Sequence, residues 1–194
     1  MLGGMLLLTF FITDIGKAFS MINQNTFYIL KNDYFQKYDP KKHMMNNNSG
    51  NGRPFYLSIK SKKNEEIFWM IPISSKLQKY EKIYDAKIKT NKSVDILHFC
   101  DVSGVRKAIL IQNMIPVSAK YIERAYTVSN VPLQLDGKNA KLIAKKANKI
   151  MNLHYRNIKF MPNCIDCKDI EEKLIAEVES EKIVALQPIE DSIK

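Results

Sequence analysis

Cysteine is too scarce in this chain to build a framework. Three cysteines occur in 194 residues: Cys100, Cys164 and Cys167. An odd, low count excludes a disulfide scaffold and fits a reducing cytoplasm. Cys164-x-x-Cys167 is half of a zinc motif. No second CxxC or paired histidine follows, so the two read as ordinary thiols, and no metal is expected. Histidine is equally sparse, and His43, His98 and His154 lie far apart in sequence. His98 falls in an apolar, strand-like run and reads as a packed residue rather than a base. Nothing argues for a two-histidine ribonuclease mechanism.

Long apolar runs are missing as well. Leu2 to Thr13 is apolar but is broken at Asp14, short of the roughly 20 residues a membrane span needs. No Lys or Arg precedes it and no small-x-small cleavage site follows, which argues against a secretory signal. Residues 1–20 are therefore expected to be an extension outside the domain, with translation starting at Met21. No membrane partner is expected. The G-x-x-x-x-G-K-[ST] loop, the G-x-G-x-x-G turn and the G-x-S-x-G elbow are all absent. There is no internal repeat.

What the chain has in excess is positive charge. Its net charge is +10 and its pI about 9.4. Residues 169–194 carry eight acids and three lysines, which leaves +15 on residues 1–168. A body that basic suits a polyanionic partner, because each neutralised phosphate releases counterions. Lysine-rich composition bias is the plainer reading. Arginine supplies only four of the 30 basic residues, which favours general phosphate attraction over bidentate base reading.

The length suits one domain. It is placed at residues 21–175, followed by an acidic helix end and tail at 176–194. Thr26 to Lys31 is aromatic and β-branched and predicts a first strand. Asn32-Asp33 is a turn or a cap, with a helical turn or two from Tyr34 to Tyr38. Residues 39–53, rich in Asn and Gly, are a long loop. Phe55 to Lys60 alternates as a strand with one buried face. Ile67 to Ile73 completes a hairpin with it. Lys76 to Lys89 reads as a helix, with Leu77, Tyr80, Ile83, Tyr84 and Ile88 on its apolar side. Ser74 or Ser75 is the natural N-cap.

Val94 to Phe99 and Ala108 to Ile111 predict a second hairpin across Ser103-Gly104. A short helix is expected over Ala119 to Tyr126, and a last strand over Val131 to Leu135. A long helix runs from Gly137 to about Arg156, with an apolar stripe of Ala140, Ile143, Ala144, Ala147, Ile150 and Met151. A C-terminal helix starts at Asp169, and the chain frays after about Gln187. The class is α+β, with five or six strands able to form a small bent barrel.

The most informative stretch is Arg53 to Tyr80. Ser74 and Ser75 lie where a strand becomes a helix. Unpaired amides and a positive dipole make such a junction an anion site. Lys76 and Lys79 begin the helix, and Arg53 opens the adjacent strand. Read without any relative, the serine pair is better explained as a cap on a solvated lysine-rich helix.

Several segments nevertheless resemble one family. Phe27-Tyr28-Ile29-Leu30, with Tyr34 just beyond, resembles the first strand and following tyrosine of the ToxN/AbiQ toxins. Arg53-Pro54-Phe55 resembles their basic position at the start of the second strand. Trp69-Met70-Ile71-Pro72-Ile73-Ser74-Ser75 is similar to the Pro-Leu-(Thr/Ser)-Ser element that carries catalysis there. The run through Lys79-Tyr80, with Ile111-Gln112-Asn113-Met114-Ile115-Pro116, is most similar to the CptN branch. The resemblance covers about residues 26–175, and nothing before Met21 belongs to it.

This resemblance implies a compact SH3-like antiparallel β-barrel with added helices, related to the Kid/MazF toxins. It implies a metal-independent endoribonuclease of a type III toxin–antitoxin system, without a cofactor. The 2′-hydroxyl attacks the neighbouring phosphate, leaving a 2′,3′-cyclic phosphate and a 5′-hydroxyl. The substrate is mRNA, and the inhibitor is a small, repeated, pseudoknotted antitoxin RNA that the enzyme itself processes. The expected state is a cytoplasmic toxin–RNA hetero-oligomer acting in phage defence.

Carried over by position, the catalytic candidates are Tyr34, Arg53, Ser74, Ser75 and a lysine. That lysine is Lys76 or Lys79, with Lys79 preferred from the closer branch. Arg53 stands where some relatives have lysine. It cannot act as a general base near neutrality, because its pKa exceeds about 12. Its expected role is charge stabilisation. Tyr34 would position RNA, or move a proton if its pKa were lowered. Lys60, Lys82, Lys87, Lys145, Lys149 and Arg156 are the expected salt-sensitive RNA surface.

Three other classes compete. A non-catalytic RNA-binding protein would use the same basic surface. A metal-dependent nuclease would need clustered carboxylates, and Asp95 and Asp101 are the nearest pair. A protein-interaction module would use the acidic tail for docking.

Overall fold

Strands β2 (Phe55–Lys60) and β3 (Ile67–Ser74) form the hairpin on which the rest is assembled. They pair antiparallel from Phe55 opposite Pro72 to Lys60 opposite Phe68. The computed structural model describes residues 22–41, 52–90, 93–158 and 165–190, the last six as backbone only. The expected extension at 1–20, most of the 39–53 loop, His43 and Cys164 lie outside the described residues. The hairpin turn is tied by Ser61, whose Oγ accepts from the amides of Lys63 (3.0 Å) and Asn64 (3.4 Å).

The expected alternation of β2 does not hold. All of Phe55 to Ile59 is buried, and Ser58 is an extra residue in a β-bulge between Leu57 and Ile59. The reason is that the hairpin lies between two cores. Tyr56, Ile59, Trp69 and Ile71 belong to one, with Ile143, Ala147, Ile150 and Met151. Phe55, Leu57, Phe68 and Met70 belong to the other, with Tyr34, Ile170 and Leu174.

β1 (Phe27–Leu30) pairs with β2 on one side and with β7 (Ile122–Ala125) on the other. Helix α1 (Asn32–Tyr38) follows β1 directly. The second hairpin, β4 (His98–Val102) and β5 (Val105–Ile109), turns at Ser103 and Gly104 as expected. Both turn residues take positive φ, 52° and 74°. The strands sit further along and earlier, respectively, than their apolar runs suggest. Val94, Leu97 and Leu110 instead fill a third, smaller core with Tyr80. There, apolar character marks burial rather than strand pairing.

The helix expected over Ala119 to Tyr126 is not formed. β6 (Ile115–Ser118) pairs with β3, a three-residue 3-10 turn covers Ala119–Tyr121, and β7 then pairs with β1. Pairing of β6 with β3 and of β7 with β1 overrides local helical preference. Beyond it, β8 (Thr127–Val128) and β9 (Val131–Pro132) make a miniature hairpin, so the last strand is much shorter than Val131 to Leu135.

Three further helices cover the sheet: α2 (Leu77–Lys89), α3 (Gly137–Tyr155) and α4 (Cys167–Glu190). α3 begins where expected because Asp136 caps it, accepting from the amides of Lys138 and Asn139. The acidic α4 is seated on the body. Ile170, Leu174 and Val178 are buried. Glu177 accepts from the hydroxyls of Tyr38 (2.7 Å) and Tyr121 (2.9 Å) and from Lys37. Glu171 accepts from Trp69 Nε1 and from the Tyr155 hydroxyl.

The chain is thus α+β, with antiparallel pairing throughout. The strand path runs β4-β5-β3-β2-β1-β7, with β6 also on β3. No closed barrel is formed among the described residues. One continuous segment, residues 115–125, nonetheless contacts β3 through β6 and β1 through β7.

Candidate functional site

The site grows from the C-terminal end of β3. Ser74 is the last strand residue and pairs with Ala108 of β5. Its side chain is buried, and its Oγ accepts from the Lys76 amide at 3.2 Å. Ser75 and Lys76 are exposed, and the Ser75 carbonyl accepts from the Leu77 amide at 2.9 Å. Neither serine is the N-cap of α2. Lys76 holds that position and makes no side-chain cap bond. Ser74 instead closes a short hydroxyl-to-amide turn before the helix starts.

Arg53 reaches this turn from the neighbouring strand. Its Nε and Nη2 both donate to the Ile73 carbonyl, at 3.0 and 2.9 Å. The guanidinium therefore grips the backbone immediately before the serine pair. Burial pulls its pKa below the ordinary value, with nearby Tyr80 opposing that. An arginine so placed still carries its charge near neutrality.

Around this junction lies a pocket of about 710 Å³. Arg53, Pro54, Ile73, Ser74, Ser75 and Lys76 form one part of its lining. The β4–β5 hairpin contributes Val102, Ser103, Val105 and Lys107. The segment after β7 contributes Tyr126, Val128 and Leu133. The volume is in the usual range for a small-molecule or single-residue subsite. Cations and hydroxyls share it with apolar side chains and one aromatic ring.

Four of the six catalytic candidates, Arg53, Ser74, Ser75 and Lys76, meet here. The other two do not. Lys79 is exposed on α2 and is not part of the lining; its ammonium lies 5.6 Å from the Tyr80 ring centroid. Tyr34 is fully buried in the core between α1, α4 and the sheet. Its hydroxyl donates to the Pro116 carbonyl at 2.7 Å, and its ring meets Tyr121 edge-on. Burial, reinforced by Cys167, pushes its pKa well above 10. Tyr34 therefore holds its proton, and the expected role in proton transfer is withdrawn. Its position after β1 is explained by core packing.

None of the six expected RNA-surface residues lines the pocket. Lys60 ends β2, Lys82 and Lys87 lie on α2, and Lys145 and Lys149 lie on α3, which Arg156 terminates. Lys149 is paired with Asp95 at 3.1 Å.

Lys107 and Tyr126 were missed by reading the chain. The Ser103-Gly104 turn was visible, but the crossing of β5 beside Ser74 is a long-range pairing with no local mark. It places Lys107 one residue from Ala108, the partner of Ser74.

The two described histidines, His98 and His154, are not part of the pocket lining. His98 is half-buried, with Nε2 2.7 Å from Asn139 Oδ1, and burial lowers its pKa. His154 is stacked on Trp69 at 5.6 Å, and burial pulls its pKa down to about 4. Asn139 and His154 are 15 residues apart on α3, roughly 22 Å at the helical rise, so His98 and His154 do not form a pair. Cys100 and Cys167 are buried. Among the described residues, no group of three or more His, Cys, Asp or Glu side chains could hold a metal ion. No helix among them is long and apolar enough to cross a membrane. No protein-family model matches the chain, and no curated protein matches its sequence.

Proposed function

We propose that this chain is a sequence-selective endoribonuclease toxin of the type III toxin–antitoxin kind, cutting RNA without a metal. One observation carries the reading: Arg53, Ser74, Ser75 and Lys76 share one pocket although Arg53 is 21 and 22 residues from the two serines. The resemblance to the ToxN/AbiQ toxins, closest to the CptN branch, names Arg53, Ser74 and Ser75 together with Tyr34 and a lysine, Lys79 in preference to Lys76; of these the pocket holds Arg53, both serines and Lys76. The finer fold that goes with it is an SH3-like, Kid/MazF-related barrel. The segment from β6 to β7, lying against β3 and β1, supports that arrangement.

In this reading the exposed Ser75 hydroxyl and the Lys76 ammonium hold the scissile phosphate. Ser74 shapes the turn that presents them. The 2′-hydroxyl attacks phosphorus, the bond to the 5′-oxygen breaks, and the products carry a 2′,3′-cyclic phosphate and a 5′-hydroxyl. Arg53 and Lys107 add positive charge as the pentacovalent dianion develops. Lys60, Lys82, Lys87, Lys145, Lys149 and Arg156 hold flanking RNA through phosphate contacts. The partners are mRNA and a small pseudoknotted antitoxin RNA. The setting is the cytoplasm, and the inhibited state is a toxin–RNA hetero-oligomer.

Two observations favour the alternative, a non-catalytic RNA-binding protein. Tyr34 lies outside the pocket, and Arg53 directs two donors at the Ile73 carbonyl. The end chemistry of the RNA decides. Purified protein incubated with mixed RNA in EDTA should cut it, and the fragments should carry cyclic phosphate. Intact RNA under those conditions would leave the binding protein as the surviving reading.

A further inference from the structure

We propose that Tyr126, with Val128 and Leu133, forms a nucleobase subsite beside the Ser75–Lys76 anion site. The inference rests on the pocket being a nucleic-acid site, whether or not it cleaves. Its basis is the division of the pocket into two chemistries. Phosphate recognition alone needs cations and donors, which Arg53, Ser75 and Lys76 supply. It does not call for an aromatic ring and two aliphatic side chains in the lining of the same 710 Å³, where Tyr126 and Leu133, part-buried and packed against the main core, also border the pocket. A nucleotide has the same division, with an anionic phosphate at one end and a flat, weakly hydrated ring at the other. Every base has a π-face, so an aromatic platform is the sequence-tolerant way to hold one.

The platform is fixed by the backbone. The Tyr126 amide donates to the Phe27 carbonyl at 2.8 Å, and its carbonyl accepts from the Leu133 amide at 2.8 Å. Phe27 is fully buried in the main core, so the anchor does not move with the surface. The two-residue turn between β8 and β9, with Ser129 and Asn130 at φ 51° and 64°, pairs Val128 with Val131 and so fixes the backbone that carries Val128 in the same pocket lining as Tyr126. Val128 and Val131 of this hairpin remain exposed, at 37% and 64%. The described chain leaves this apolar edge uncovered, beside a pocket lined by Arg53, Lys76 and Lys107 on a body of high positive charge. That combination suits a base on a polyanionic strand better than an apolar protein surface.

The test separates base from backbone and binding from cleavage. The probe is a labelled 12-nucleotide single-stranded DNA of mixed sequence, which lacks the 2′-hydroxyl and cannot be cut by that route. Its comparison is the same backbone with abasic sites. Affinity is read by anisotropy for the full chain and for Tyr126→Phe and Tyr126→Ala. Wild type and Tyr126→Phe should prefer the base-bearing strand. Tyr126→Ala should lose roughly 5- to 150-fold of affinity for it while binding the abasic strand as wild type does. Wild type binding both strands alike, or Tyr126→Ala keeping the preference, overturns the subsite. Equal loss on both strands in Tyr126→Ala also overturns it, because that reports a damaged surface. If RNA is never cut but the base preference follows Tyr126, the nuclease reading fails and the subsite stands. If RNA is cut and Tyr126→Ala cuts with unchanged KM, the subsite fails and the nuclease stands.

Discussion

Arg53 holds the Ile73 carbonyl with two donors, Nε at 3.0 Å and Nη2 at 2.9 Å. The contact joins the start of β2 to the end of β3, just before Ser74 and Ser75. In the proposed site one side chain would thus have both a structural and an electrostatic task, and the two respond differently to substitution. Arg53→Ala leaves a half-buried carbonyl without these donors, at a cost of about 1–3 kcal/mol. Arg53→Lys keeps the charge but cannot reproduce the planar two-donor grip. We expect urea midpoints in the order wild type, lysine, alanine. Cleavage by Arg53→Lys should also fall at least tenfold. A lysine variant with wild-type rate and midpoint would mean that the grip is dispensable.

The two serines should separate stability from activity. Ser74 is buried and accepts from the Lys76 amide, whereas Ser75 is exposed. Ser74→Ala should destabilise by about 1 kcal/mol. Ser75→Ala should unfold within about 0.5 kcal/mol of wild type. Its cleavage rate should nevertheless drop about 10²–10³-fold, as for other single donors at developing charge. Chemical denaturation and a fixed RNA substrate read both effects. A Ser75→Ala enzyme as fast as wild type removes that hydroxyl from the reaction.

Lys76 and Lys79 make a direct comparison, because only Lys76 lines the pocket. Lys76→Ala should lower the cleavage rate about a hundredfold or more. Lys79→Ala should stay within a few-fold of wild type. The reverse order would restore Lys79 as the functional cation and require α2 to turn toward the pocket.

Tyr34→Phe should leave cleavage intact and weaken the fold. The change removes the hydroxyl that donates to the Pro116 carbonyl and leaves that buried carbonyl without this donor. The expected loss is about 1–3 kcal/mol. A stable but inactive Tyr34→Phe protein would contradict the core assignment.

Stability should fall on the acid side. His154 in the folded chain has its pKa lowered from 6.5 to about 4 by burial, so folding disfavours its protonated form. The unfolded chain takes up the proton first, near 6.5. Stability from this group is therefore complete above about pH 6.5 and declines as pH falls to about 4, by on the order of 3 kcal/mol. His98, also lowered by burial, acts in the same sense. Trp69, the only tryptophan, stacks on His154 and reports unfolding. Urea titrations at pH 7 and pH 5 should show the loss, and His154→Gln should reduce it.

Much of the scaffold was legible without coordinates, where the signal is local. β2 was read at its observed bounds, and β3 lacked only its final Ser74. The positive-φ turn at Ser103-Gly104 and the start of α3 at Gly137 were also visible. Each depends on periodicity, a turn pair or a capping acid within a few residues. The strand at 122–125 was not legible, because its partner β1 lies about ninety residues earlier in the chain.

The sequence alone determined a basic body, an α+β class, and a serine pair at a strand–helix junction with a lysine beside it. These follow from composition and from contacts between near neighbours. Tertiary structure alone decided which residues share the pocket. The pairing of Ser74 with Ala108 brings in Lys107, and anchoring to Phe27 brings in Tyr126. The same packing removes Tyr34, whose ring fills the space between α1, β6 and α4. An aromatic side chain reads alike in sequence whether it faces a ligand or a core. Only the long-range strand register separates the two.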